Sequence, residues 1–265
     1  MTEPRVEING MPASVPDLAF AAQVNYGHFT SMQVRGRGVR GLDLHLQRLQ
    51  RSTQALFGTE LDSDRVRSWL RQLVDDTPLS VRITVFARTF DRSQPERTVP
   101  VDVMIAASAA RVPASTALRV KSAVHVRYLP QVKHVGTFSL FHLVRSARLA
   151  GWDDVLLADP YGRIAEGSTW NIGLWDGERV VWPNAPALAG VTEQLVEYGL
   201  RAHGIDCQRR PIDLGQMHEW RCAFASNSGA PVRLIACVDE NRFADDRDFA
   251  ALLKTCYEAQ PLQPI

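Results

Sequence analysis

The spacing of apolar residues changes along the first half of the chain. At first they recur every three or four positions, which predicts helices over residues 42–57 and 62–75. The period then falls to two, and this alternation predicts a strand over 81–86 with a neighbouring strand over 101–107. Small residues and a proline interrupt the pattern over 110–116, where we expect a linker.

The second half of the chain mixes the same two patterns. Helical spacing predicts helices over 139–150 and 193–203, and short apolar runs predict strands over 155–158 and 222–225. A longer strand is expected over 164–175, with a kink at its small residues.

These elements predict an α+β chain of two domains. We place an N-terminal α/β domain over 1–111 and a C-terminal domain over 117–265. A chain of 265 residues is long enough for each of two domains to bury a core of its own.

The charges of the chain nearly cancel. Thirty basic and 29 acidic side chains leave a net charge of +1, which gives no support to binding of nucleic acid or anionic membranes. The chain has no apolar stretch of membrane-spanning length, and its polar start is unlike a secretion signal. We therefore expect a cytoplasmic protein. The four cysteines are scattered without paired spacing, so we expect free thiols and no metal site.

Lysine is rare in this chain, and one lysine has a notable position. Only three of the thirty basic side chains are lysines, and Lys133 stands just before the predicted helix over 139–150. An amine in a partly desolvated place can lose its proton and attack a carbonyl group, which a guanidinium does poorly. Lys133 is therefore a candidate Schiff-base residue. The alternative is an ordinary surface lysine.

Two corners of the second half could hold an anion. Gly190, Val191 and Thr192 lead into a predicted helix, whose N–H groups and dipole suit a phosphate; an ordinary helix cap is the alternative. The loop over 226–230, which includes Ser228, offers further small donors. Glu166 stands in a segment fit for burial and could hold a heterocyclic nitrogen protonated, although a carboxylate facing water remains the alternative.

Several motifs occur together in a recognisable order. The run Lys133-His134 is followed by Asp153-Asp154-Val155-Leu156-Leu157, by Ile164-x-Glu166-Gly167-Ser168-x-x-Asn171-Ile172 and by Gly190-Val191-Thr192, and the first half contains Tyr26-Gly27-His28-Phe29 and His45-Leu46-Gln47-Arg48-Leu49. Across nearly the whole chain these motifs resemble the class IV aminotransferases. These are the fold-type IV enzymes of pyridoxal 5'-phosphate (PLP), which include branched-chain and D-amino-acid aminotransferases and 4-amino-4-deoxychorismate lyase.

The resemblance implies a fold, a cofactor and roles for particular residues. The expected fold is that of a D-amino-acid aminotransferase, with PLP in the cleft between the domains and a homodimer as the assembly. Lys133 would form a Schiff base with PLP and shuttle protons. The implied partners of the cofactor are Glu166 at the pyridine nitrogen and Arg48, Val191, Thr192 and Ser228 at the phosphate.

The substrate is less well defined by the resemblance. The expected reaction moves an amino group between an amino acid or amine and a 2-oxo acid. Some motifs look closer to the lyase branch, which releases pyruvate and 4-aminobenzoate, so lyase activity stays open. A PLP-binding protein without turnover is a third alternative. Candidates for contact with the substrate are Phe29, Arg82, Arg88 and Arg127, although each arginine is also consistent with a solvated surface position.

Overall fold

The chain folds into two compact units. The computed structural model describes residues 5–110, 112–113 and 115–265. The first unit contains the residues up to Val112 together with two later segments, Val132–Gly136 and Pro261–Ile265, and the rest of the chain forms the second. The domain boundaries expected from the sequence assign both segments to the C-terminal half, whereas here Lys133 belongs to the first unit. Arg111 and Ala114 of the expected linker lie outside the described residues.

The first unit is built on an antiparallel sheet. Two helices cover the sheet, and their buried leucines and valines form one core with the apolar residues of the strands. The elements are β1 (Arg5–Ile8), β2 (Met11–Pro12), α1 (Val15–Gln23), β3 (His28–Val34), β4 (Gly38–Arg40), α2 (Leu42–Phe57), α3 (Ser63–Leu73), β5 (Leu79–Phe86) and β6 (Asp102–Ala109). In the described residues the sheet has the order β2-β1-β6-β5-β3.

Helix α2 positions two buried polar residues of the first unit, His45 and Arg48. The helix begins and ends as the sequence predicts, and its last turn closes on Gly58, which has φ of 64° and therefore a conformation that favours glycine. Its buried face combines leucines that join the core with His45 and Arg48. The helix therefore carries two ionisable side chains into the interior.

The second unit is a larger mixed sheet with helices packed against it. Its elements are β7 (Leu118–Val124), α4 (Phe138–Leu149), β8 (Asp154–Ala158), β9 (Ile164–Gly167), β10 (Asn171–Trp175), β11 (Arg179–Pro183), α5 (Val191–Ala202), β12 (Asp206–Arg210), a 3-10 helix (Leu214–Glu219), β13 (Cys222–Asn227), β14 (Ala230–Val238), β15 (Asn241–Arg242) and α6 (Arg247–Glu258). Among the described residues the strand order is β12-β11-β10-β13-β14-β7-β8-β9, with β15 beside β14.

The long kinked strand expected over 164–175 is in fact two strands with different neighbours. β9 pairs with β8, whereas β10 lies between β11 and β13. The chain turns between them, and the Gly167 N–H donates to the Trp170 carbonyl at 2.8 Å. The Trp170 indole packs so closely on Gly167 that a Cβ there would lie 1.9 Å from the ring. The prediction of one strand was wrong because this turn is stabilised by side-chain packing that apolar periodicity does not reveal.

Helices α5 and α6 pack against each other on one face of this sheet. A Cβ on Gly199 of α5 would lie 2.4 Å from the Cys256 carbonyl of α6, so the close approach of the two helices requires glycine. Their apolar faces form a core with residues of the sheet, including Trp182 and Phe224. Leu140 and Ala147 of α4 pack separately on Val155 and Leu157 of β8.

The last strand of the chain belongs to the first unit. β16 (Leu262–Pro264) pairs antiparallel with β4, and Gln263 lies opposite Val39. Ile265 is buried in the core of that unit. None of the helices in the described part of the chain has the length and apolar character of a membrane span. The four cysteines are buried free thiols.

Candidate active site

The segment that contains Lys133 is hydrogen-bonded to the start of β3. The Phe29 N–H donates to the Lys133 carbonyl at 2.8 Å, and the Val135 N–H donates to the Gly27 carbonyl at 3.0 Å. These backbone bonds fix the segment beside β3. The Lys133 Nζ lies 5.0 Å from the centroid of the Phe29 ring, within the range of a cation–π contact.

A second cation contacts the same ring. The Arg82 Cζ lies 3.5 Å from the centroid of the Phe29 ring. Phe29 pairs with Thr84 across β3 and β5, and Arg82 donates from Nε to the Thr84 hydroxyl at 3.2 Å. Three residues singled out from the sequence, Phe29, Arg82 and Lys133, therefore lie together around one aromatic ring.

Arg48 is a buried cation without an acidic partner. Its side chain is buried in the first unit, and its Nη2 donates to the Thr30 hydroxyl and, at 3.3 Å, to His45 Nδ1. The Nε atom has no hydrogen-bond partner, and within the described ranges no carboxylate is ion-paired with this guanidinium. Burial lowers the pKa of Arg48 to about 10. Because an unpaired buried charge is unfavourable, the site favours an anion as a partner.

The two histidines beside Arg48 are neutral at physiological pH. Burial, and then the positive charge of Arg48, lowers the pKa of His28 to about 3 and that of His45 well below its ordinary value. His45 Nδ1 lies 2.7 Å from the Thr30 hydroxyl oxygen and 3.3 Å from Arg48 Nη2. Neither histidine adds a charge. The role of His45 was not predicted, although its spacing of three residues from Arg48 puts both on one helical face.

Glu166 forms a buried ion pair in the second unit. Its Oε1 accepts a hydrogen bond from Arg127 Nε at 2.6 Å, and its Oε2 accepts one from the Leu188 N–H at 3.3 Å. Both charged side chains are almost fully buried. The pairing was not anticipated, because the sequence suggested Arg127 as a substrate contact. The Glu166 carboxylate is thus held by a guanidinium on one oxygen and by a backbone N–H on the other.

The side chain of Asn171 packs closely against Gly190, at the start of α5. Asn171 donates from Nδ2 to the Leu188 carbonyl at 2.8 Å, and a Cβ on Gly190 would lie 2.0 Å from the Asn171 Oδ1. Gly190 is the N-cap of α5 and provides no side chain for capping. The N–H groups of Val191 and Thr192 therefore lie in a first turn whose donors have no acceptor within the helix.

A buried acid lies next to these two residues. The Glu193 carboxylate forms an ion pair with Arg209, with 2.6 Å between Oε1 and Nη2. Burial raises the pKa of Glu193, and the charge of Arg209 opposes this rise. This pair was not predicted, because Arg209 belongs to a different element, β12, and helical spacing within α5 does not reveal it.

Ser228 lies in the turn between β13 and β14. The Asn227 Oδ1 accepts from the N–H groups of Gly229 at 2.9 Å and Ala230 at 2.7 Å, so two of the donors in this loop have a partner within the turn. Ser228 itself is half-buried. The hydroxyl of the neighbouring Ser226 is fully buried without a hydrogen-bond partner, which makes it a further polar atom of this region.

Arg88 lies in a different environment from Arg82. Its guanidinium contacts Asp17 at 2.5 Å and Asp102 at 2.8 Å, and hydrogen bonds to these carboxylates raise its pKa. The first unit thus brings Arg82 and Lys133 together around Phe29. It also contains Arg48, which contacts Thr30 and His45, and Arg88, which is paired with two acids. The second unit contains Glu166, Arg127, Val191, Thr192 and Ser228.

Solved structures with the same fold cover almost the whole chain. A hypothetical aminotransferase from Mycobacterium tuberculosis in its PLP-bound form is 19% identical, with 97% of this chain and 99% of that chain covered and a TM-score of 0.79. The branched-chain aminotransferase of Thermoproteus uzoniensis with norvaline is 18% identical, with 95% of this chain and 92% of that chain covered and a TM-score of 0.84. A putative 4-amino-4-deoxychorismate lyase of Legionella pneumophila is 18% identical, with 91% of this chain and 93% of that chain covered and a TM-score of 0.82.

The structures above share the fold of this chain at low sequence identity, whereas a family model identifies the family. A search of curated proteins gives no match. The model of the class IV amino-transferases matches residues 27–237, which is most of the chain and includes Arg48, Lys133 and Glu166. The match confirms the resemblance that the motifs suggested. The chain belongs to the class IV aminotransferases, a family of PLP-dependent enzymes.

Proposed function

We propose that this protein is an aminotransferase that moves an amino group between an amino acid or amine and a 2-oxo acid, with Lys133 as its catalytic residue. The observation that carries the proposal is Arg48. This buried guanidinium has no acidic partner in the described residues, and the family's cofactor has a phosphate. Since a phosphate accepts bidentate hydrogen bonds from arginine, PLP would provide the anion that the site favours.

The other residues that we assign to the cofactor come from the second unit. Val191 and Thr192 would donate their N–H groups to the phosphate, with Ser228 as an additional donor. Glu166, which is ion-paired with Arg127, would accept a hydrogen bond from the protonated pyridine nitrogen and so keep the ring cationic. When bound, PLP supplies an electron sink for the negative charge that develops at the substrate carbon.

Lys133 would bind PLP covalently as a Schiff base and afterwards act as the base that moves the proton. Only an amine that can be deprotonated near neutral pH can do both. The guanidinium of Arg82 contacts the same Phe29 ring as the Lys133 amine.

Arg82 is the arginine that we assign to a carboxylate of the substrate. Arg88 and Arg127 already have carboxylate partners at 2.5–2.8 Å, so an incoming substrate would have to compete with them. The guanidinium of Arg82 contacts an aromatic ring and a hydroxyl instead. Phe29 would form part of the apolar wall of the same pocket.

We also propose a homodimer in the cytoplasm. Large apolar side chains are exposed on α4 and in the segment after β7, among them Phe138, Phe141 and Tyr128. Such a surface is unfavourable in water and suits a protein interface. Sedimentation equilibrium tests the assembly: a single species of twice the chain mass supports it, and a monomer at micromolar concentration contradicts it.

An assay with purified protein separates the reactions. With PLP bound, a set of amino donors is tested against pyruvate and 2-oxoglutarate. Conversion of the cofactor to pyridoxamine phosphate by a donor, reversed by a 2-oxo acid, supports transamination. Release of pyruvate from aminodeoxychorismate with no such conversion supports the lyase instead. Bound PLP that no donor changes contradicts both.

A further inference from the structure

Helix α2 begins without a cap of its own. Its N-cap is Gly41, in a left-handed conformation with φ of 68° and no side chain that could accept a hydrogen bond. The first N–H groups of any helix need acceptors from outside, which Ser, Thr, Asp or Asn usually provides. The first bond within α2 runs from the His45 N–H to the Gly41 carbonyl. The N–H of Asp43, two residues earlier, therefore depends on another part of the chain.

Gln263 supplies that acceptor. Its Oε1 accepts a hydrogen bond from the Asp43 N–H at 3.0 Å, although the two residues are 220 positions apart. The backbone of β16 fixes the position of Gln263, which pairs with Val39 just before α2 begins. Arg67 of α3 also donates from Nη2 to the carbonyl of Pro264 at 2.9 Å. The amide of Gln263 is thus held at the start of α2 by the strand that carries it.

The first turn of α2 leads directly to Arg48. His45 donates the first helical hydrogen bond with its backbone, and its ring nitrogen Nδ1 lies within hydrogen-bond distance of Arg48 Nη2 and of the Thr30 hydroxyl. If the first turn frays, His45 moves and Arg48 loses one of its partners. Arg48 then samples more orientations, so binding an anion requires a larger loss of conformational entropy.

We propose that Gln263 is a positioning residue for the cofactor: it caps α2 and thereby holds His45 and Arg48 in the arrangement that binds phosphate. The inference rests on the proposed function, because it requires that Arg48 contact the phosphate of PLP. It assigns a role to a residue outside the stretch that matches the family model, which ends at residue 237.

The test compares substitutions that remove or keep the acceptor oxygen. Gln263→Met keeps the length of the side chain and removes the acceptor, whereas Gln263→Glu keeps an acceptor and adds a charge that suits the positive end of a helix. Gln50→Met, at an exposed position on the same helix, is the matched control. PLP affinity is measured by titration of the apo protein, and kcat is measured at saturating PLP.

We expect Gln263→Met to weaken PLP binding by about threefold to tenfold, the size expected from losing a helix cap. The kcat at saturating PLP should stay unchanged, and both Gln263→Glu and Gln50→Met should bind PLP like the wild type. Hydrogen exchange in a peptide over 41–46 should be faster in Gln263→Met alone. If this variant does not fold, Gln263→Asn, whose shorter side chain withdraws the acceptor, is expected to give the same result.

Two results would overturn the inference. One is wild-type PLP affinity in both Gln263→Met and Gln263→Asn. The other is an equal loss in Gln263→Glu, which would mean that the shape of the side chain matters and not its acceptor. Arg48→Met distinguishes these failures from failure of the proposed function: if Arg48→Met binds PLP normally, the assignment of the phosphate site is itself wrong.

Discussion

Glu166 and Arg127 form a buried ion pair, with 2.6 Å between Oε1 and Nε. Removing one partner leaves the other charge buried without compensation, which typically destabilises a protein by about 3–5 kcal/mol. We therefore expect Glu166→Gln and Arg127→Met each to lower the free energy of unfolding of the apo protein by roughly that amount. The double variant should lose clearly less than the sum of the two. Urea unfolding measures all four proteins, and strictly additive losses would show that the two groups are not coupled.

We expect Arg48 to strengthen the binding of PLP and to lower the stability of the apo protein. Arg48→Met removes a buried unpaired cation, so we expect the apo variant to be at least as stable as the wild type. Its affinity for PLP should fall by about 1.5–3 kcal/mol, the contribution of a hydrogen bond to a charged group. Gln50→Met, at an exposed and uncharged position on the same helix, is the control and should change neither quantity. A variant that is less stable but binds PLP normally would show that Arg48 has a structural role only.

His28 should make the protein less stable in mild acid. Its pKa in the folded protein is about 3, against an ordinary value of 6.5. Between these values the unfolded chain binds a proton that the folded protein does not. Stability therefore falls as the pH decreases through this window, by up to about 1.4 kcal/mol per pH unit. In His28→Gln the slope between pH 6 and pH 4 should be smaller by about one proton. An unchanged slope would mean that His28 is protonated in the folded state.

Arg82 and Arg88 should respond differently to the same substitution. Arg82→Ala should raise the KM of carboxylate substrates, by roughly tenfold or more if one charge-assisted hydrogen bond is lost. Arg88→Ala should leave KM unchanged and slightly reduce stability, because its exposed ion pairs contribute little. Steady-state kinetics with an amino donor that has a carboxylate tests both. The opposite pattern would transfer the substrate contact to Arg88.

The helices were predictable where the core determines them. Leu46 and Leu49 repeat at the spacing of a helical face, and the helix over 42–57 has the same bounds in the structure. Helix α6 was not predicted, although Phe249, Leu253 and Cys256 follow the same spacing and Asp246 accepts from the Phe249 N–H as its N-cap.

The sequence indicated which residues belong to the site, but it did not indicate which residues they contact. Motifs indicated Arg48, Lys133 and Glu166, because the chemistry of each depends on its own functional group. The partners of these groups come from distant parts of the sequence: Arg127 is 39 residues from Glu166, and Gln263 is 220 from Asp43. Such pairs depend on strand order, and apolar spacing within one segment contains no information about that order.

The covalent link at Lys133 is the central claim, and one measurement tests it directly. The protein is incubated with PLP, reduced with borohydride, digested and analysed by mass spectrometry. We predict that the added mass of reduced PLP is found on the peptide that contains Lys133, and that peptides with Lys121 or Lys254 are unmodified. A Lys133→Ala variant should bind no cofactor covalently. An unmodified Lys133 peptide from protein saturated with PLP would contradict the account.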